Sequence, residues 1–141
     1  MSLIKNCIIL ILPVFLIGKP LFKDSQLLAM TPNYFSRDHS SPTLLGANIY
    51  KTNKGRVFRL DIQADRNRFD EDLIFAFSAL SNMGQYTKRP FKKYIVVIHS
   101  TQKKQPPKIA VGKVRCSFDC FIRQHTTYQE WKSNCLHFKE T

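Results

Sequence analysis

Residues 7 to 17, Cys-Ile-Ile-Leu-Ile-Leu-Pro-Val-Phe-Leu-Ile, form an unbroken apolar run behind a short start that carries Lys5, and polar, charged sequence follows at once. A positive start followed by about 7 to 15 apolar residues is the layout of an export signal, whereas a spanning helix takes about 20. The run bounds everything behind it. With residues 1–25 read as a signal peptide or an uncleaved N-terminal anchor, 116 of the 141 residues remain, enough for one small domain around one core. The segment Gly18-Lys19-Pro20-Leu21-Phe22-Lys23 has two lysines and no small-x-small triplet, so the nearest cleavage candidates lie around Ser25 or Ala29. That weak site keeps the anchor reading open. Cys7 has no small residues before it and does not mark a lipid-modified processing site.

A chain that is 43% hydrophobic and holds eleven Phe can bury enough surface to offset its ordering entropy, which excludes intrinsic disorder. Its formal charge is +12, and loss of Lys5, Lys19, Lys23 and Asp24 with the leader leaves +10. The charge is uneven. Residues 26 to 83 hold seven Lys/Arg against six Asp/Glu, while residues 84 to 141 hold twelve against three. Such a field draws an anionic polymer, lipid headgroups or an acidic protein surface, and nucleic acid belongs to the same class of partner. Solubility alone is the bland reading of the same charge.

Residues 26–46 are rich in Ser, Pro, Thr and Asn with no sustained period, and read as an extended arm or linker ahead of a basic domain over 47–141. Within that domain, Asn48–Thr52 and Arg56–Ile62 flank the turn-like Asn53-Lys54-Gly55, and Phe58, Leu60 and Ile62 alternate with Val57, Arg59 and Asp61. This is a hairpin with one buried face. Asn67 offers a cap, Asp70, Glu71 and Asp72 crowd a first turn, and Phe69, Leu73, Ala76, Phe77, Leu80 and Gly84 recur at helical steps, so a helix is expected over about 68–83. The three carboxylates fan out around such a helix and cannot converge on a metal.

Tyr94–Ile98 is a β-branched run that reads as a central strand, and Ile109–Cys116 as the strand that returns beside it, with Gly112 marking a bulge. Thr127 and Glu130 make a capping box before a short helix on which Tyr128, Trp131 and Cys135 share a face. The expected fold class is α+β: a single small domain in the order ββαββα, with an antiparallel sheet of about four strands and helices packed on one face.

Three cysteines follow the leader, and one disulfide plus one leftover thiol is the simplest arithmetic. Cys135 should face the strand that ends at Cys116, so a bridge from Cys135 to Cys116 or Cys120 is favoured over a local Cys116–Cys120 bond. The alternative is zinc on Cys116, Cys120, Cys135 and His137, but Cys-x-His is a cramped second pair for a structural site. No other cofactor or metal is indicated. His99 and His125 are the candidates for an acid and base pair, and Cys120 with His125 for a thiol nucleophile, although no spacing places any of them together.

Lys88, Arg89, Lys92, Lys93, Lys103, Lys104, Lys108, Lys113 and Arg115 gather around the second hairpin and interleave with Tyr86, Phe91 and Tyr94, a composition suited to phosphates or sugars. Phosphate loops, nucleophile elbows and calcium loops are missing from the sequence. The leading expectation is an exported, non-enzymatic basic domain that binds an anionic partner or an envelope protein through residues 88–115. The alternatives are a small secreted hydrolase of phosphodiesters or polysaccharides, and a membrane-anchored accessory protein whose residues 7–17 contact the bilayer.

Overall fold

The computed structural model of the chain describes residues 21–64, 66–102 and 104–139. The apolar run 7–17 therefore lies outside the described residues. Strands β1 (Thr43–Thr52) and β2 (Gly55–Ala64) form the first hairpin around a two-residue turn. Gly55 takes a φ of 126°, where a side chain would be strained and would also meet Lys92. A helix, α1 (Asp24–Ser36), precedes β1, and after a 3-10 turn at Arg66–Arg68 the crossover helix α2 (Phe69–Gly84) leads to β3 (Lys93–Ser100). Then follow β4 (Lys108–Lys113), α3 (Val114–Phe121), α4 (Tyr128–Asn134) and β5 (Leu136–Lys139).

The sheet has five strands in the order β1-β2-β3-β4-β5, and β2 runs parallel to β3 while the other neighbours are antiparallel. This corrects the antiparallel four-strand expectation while leaving the α+β class in place. The reason is the crossover. The sixteen-residue α2 carries the chain back along the sheet, so β3 starts beside the start of β2 with Val57 opposite Lys93.

The segment expected to be an extended arm is instead α1, Asp24–Ser36, followed by the first residues of β1. Leu27, Thr31 and Phe35 fall on one helical face and are buried. Pro32 sits inside this helix, and the hydroxyl of Thr31 donates to the Leu27 carbonyl at 2.9 Å, so the polar member of the buried face is satisfied locally. Arg56 of β2 forks onto Asp24 with N–O distances of 2.9 and 2.6 Å, which ties the helix start to the first hairpin.

Alternate strand residues define the core: Phe58, Leu60 and Ile62 of β2, Tyr94, Val96 and Ile98 of β3, and Ala110 of β4 meet Leu73, Phe77 and Leu80 of α2. β3 is the middle strand, and both Val96 and Val97 are buried, as its apolar run implies. Trp131 of α4 is buried edge-on against Phe77, with ring centroids 4.8 Å apart. Its indole N–H donates to Ser117 of α3 at 3.0 Å, and the Ser117 hydroxyl donates to the Lys113 carbonyl at 2.6 Å. The final helices are thereby fixed to the end of β4.

One glycine acts differently from expectation. Gly112 pairs in register with Tyr94, and its role is close approach: a Cβ there would stand 2.7 Å from the Phe77 ring. The register irregularity lies instead at Leu44/Gly46 in β1. Gly84 is the last residue of α2, and a Cβ there would collide with the Tyr94 hydroxyl. The helix is capped by Arg68 without a side-chain bond, so Asn67 is not its cap. Thr127, in contrast, accepts from the Glu130 backbone N–H at 3.2 Å as the capping box requires.

Candidate functional site

Register decides where the basic residues meet. β1 ends, β2 begins, β3 begins and β4 ends at the same end of the sheet, because β2 and β3 are parallel and each is joined to an antiparallel neighbour. That end collects Lys51 and Lys54 from the first hairpin, Lys88, Arg89 and Lys92 from the approach to β3, Lys93 from its first residue and Lys113 from the last of β4. Arg115 follows two residues later in α3. Lys51, Lys54, Lys88, Arg89, Lys92, Lys113 and Arg115 are all exposed.

Two cross-strand pairs there join like charges. Lys51 is the register partner of Arg56, and Lys93 that of Lys113. Directly opposed like charges destabilise a sheet unless something neutralises them. Arg56 has its counter-ion in Asp24, whose carboxyl is held below the usual range chiefly by the hydrogen bond from that guanidinium. Among the described residues, no ion pair involves Lys51, Lys93 or Lys113. The charge at this end is mostly uncompensated.

The remaining basic candidates lie elsewhere. Lys104 and Lys108 belong to the far end of the β3–β4 hairpin, and Lys108 and Lys113, six residues apart inclusive along β4, are separated by about 17 Å of strand. Lys108 extends over the Phe69 ring, 5.0 Å from its centroid. Lys103 lies outside the described residues. The single surface expected over residues 88–115 is thus two, and the richer one also recruits Lys51 and Lys54. Those lysines were missed because they belong to the first hairpin, and only strand order brings them alongside β3.

His99 and His125 are not brought together. His99 alternates with the core-facing Ile98 and so lies on the sheet face away from the core, where its Nε2 is 3.0 Å from Asp61 Oδ2. Arg59 forks onto the same carboxylate at 2.7 and 3.0 Å. The Arg59 contact, then that of His99, holds Asp61 below the usual carboxylate range despite partial burial. His125 lies in the turn between α3 and α4, with its backbone N–H donating to Asp119, on the helical side of the sheet. The two histidines thus belong to elements on opposite faces of the sheet, and among the described residues no hydrogen bond joins them.

Cys116 and Cys135 form a disulfide with their Cα atoms 6.2 Å apart. The pairing uses two of the four proposed zinc ligands, and His137 is exposed on β5 in register with Val111, so that ligand set is not assembled. Among the described residues, Cys120 is the free thiol. It is buried, and burial pushes its pKa up, which opposes use as a nucleophile with His125. Cys116 belongs to α3 and not to β4 as expected, because the strand stops at Lys113.

The described helices include none long and apolar enough to cross a membrane. The anchor reading therefore rests on residues 7–17, outside the described residues. In comparisons with known proteins, the chain matches no family model, no curated protein and no solved structure.

Proposed function

We propose that this chain is an exported, non-enzymatic domain that binds an anionic partner through the basic end of its sheet. The observation that carries the reading is the opposed pair Lys93 and Lys113, set among Lys51, Lys54, Lys88, Arg89 and Lys92. A like-charged pair costs stability in the free protein, and an anion seated between the two strands would relieve it. The disulfide supports export, since such bonds persist in oxidising compartments. Separation of His99 from His125 removes the support for the hydrolase reading.

The test is retention of the full chain on an immobilised sulfated polysaccharide as salt is raised. Lys93→Glu/Lys113→Glu protein is expected to elute at much lower salt, and Lys104→Glu/Lys108→Glu protein close to the unaltered chain. Equal losses in both would reduce the effect to net charge, and salt-insensitive retention would sink the electrostatic reading.

A further inference from the structure

β1 is an edge strand of ten residues, and among the described residues its outer edge has no partner in the sheet. In an antiparallel edge strand, alternate residues direct their N–H and C=O groups outward, ready to pair with another extended chain. Sheets usually blunt such an edge with charge, proline or brevity. β1 contains no proline and one charged residue, Lys51, whereas the opposite edge, β5, is only four residues long. β1 is the edge left open.

A groove of about 510 Å³ runs beside the first half of this strand. One wall is α1, through Leu28, Pro32 and Phe35, and the other is the stretch Leu44-Leu45-Gly46-Ala47 where the register shifts. Leu45 is 52% exposed at the rim, and a Cβ built on Gly46 meets nothing within 4 Å. The volume lies within the range of ligand sites and suits a large apolar side chain. An open backbone edge and an apolar slot beside it are the two requirements for recognition by strand addition.

We infer that β1 and this groove bind an extended acidic segment of a partner protein, which adds a sixth strand and places an apolar side chain between α1 and β1. The acidic character follows from the surroundings. Lys51 and Lys54 continue along the hairpin and Arg37 and His39 follow α1, while the nearby Asp38 carboxylate is engaged by the Ser40 N–H and hydroxyl at 2.9 and 2.7 Å. A second copy of a chain with a formal charge of +12 would be repelled at this edge. The inference rests on the anionic-partner reading for the sign of the ligand's charge, and names a second, separable contact.

The probe is a synthetic twelve-residue peptide alternating Leu and Glu, with a Leu/Lys counterpart and poly-glutamate as controls, added to the full chain. Saturable binding of the Leu/Glu peptide is expected, with slowed amide exchange confined largely to residues 43–52 and at least tenfold weaker binding of both controls. Gly46→Phe, which fills the groove, and Leu45→Glu, an exposed change that leaves the core intact, should each weaken peptide binding at least tenfold without altering retention on the sulfated polysaccharide. Lys93→Glu/Lys113→Glu protein should show the reverse pattern, so failure of one contact is distinguishable from failure of the other. Equal binding of poly-glutamate, undiminished binding by both groove variants, or a concentration-dependent dimer abolished by Gly46→Phe would each overturn the inference.

Discussion

The Cys116–Cys135 bond closes a loop with a sequence separation of 19, and chain-entropy theory assigns such a loop a stabilisation of about 3 kcal/mol through constraint of the unfolded state. The loop contains most of α3 and all of α4, and β5 begins one residue beyond it. A domain of this size is stable by about 5 to 15 kcal/mol, so the bond accounts for a sizeable share. At an m-value of about 1.5 kcal/mol/M, reduction should lower the urea midpoint by about 2 M. The assay is urea unfolding followed by Trp131 fluorescence, with and without reductant, for the unaltered chain and for Cys116→Ser/Cys135→Ser protein. The double variant should start near the reduced value and ignore reductant. A midpoint shift under about 0.5 M, with mass spectrometry confirming that the thiols are free, would refute the reasoning. So would a peptide map placing Cys120 in the bridge.

Ser117→Ala removes the acceptor of the buried Trp131 N–H and should cost about 1 to 3 kcal/mol in urea unfolding, because the indole donor is left without a partner. Gly112→Ala forces a methyl against the Phe77 ring, which Trp131 backs, and should cost about 1 to 3 kcal/mol; Phe77→Leu in the same chain should make the added methyl less costly, a coupling measured by a double-mutant cycle. Asp61 has a folded pKa below its unfolded value, so its contribution is fully present above about pH 4 and is lost as pH falls through the folded pKa. Asp61→Asn should therefore flatten the acid limb of stability measured by denaturant midpoints between about pH 2 and pH 6.

What could be read from the chain divides along a physical line. Where one period dominates a segment, the element was legible: the apolar column from Phe69 to Leu80 gives α2, the alternation from Phe58 to Ile62 gives β2, and Thr127 with Glu130 gives the start of α4. Where the buried face contains a polar residue, it was not. α1 uses Thr31 between Leu27 and Phe35, and Pro32 beside it argues against a helix on local grounds. α3 begins at Val114 with no break from β4, so its first residues read as more strand. The pairing of Cys135 with Cys116 was within reach because a helical face and a strand end limited the choices, although that strand end proved to be a helix.

The candidate site depends on a kind of information that local patterns lack. Lys93 and Lys113 lie twenty residues apart, and only the β3–β4 register makes them neighbours, just as only the parallel β2–β3 pairing brings Lys51 and Lys54 to the same end. That register also sets stability against function. An opposed like-charge pair costs about 0.2 to 1 kcal/mol when nothing bridges it. Lys113→Glu converts the repulsion across Lys93 into attraction, so the variant should unfold at higher urea than the unaltered chain while losing retention on the sulfated polysaccharide. A gain in stability with binding intact would mean that the pair is a tolerated defect and that the anion sits elsewhere. A loss of stability would mean that Lys113 has a favourable contact in the free protein, and the argument from opposed charges would fall.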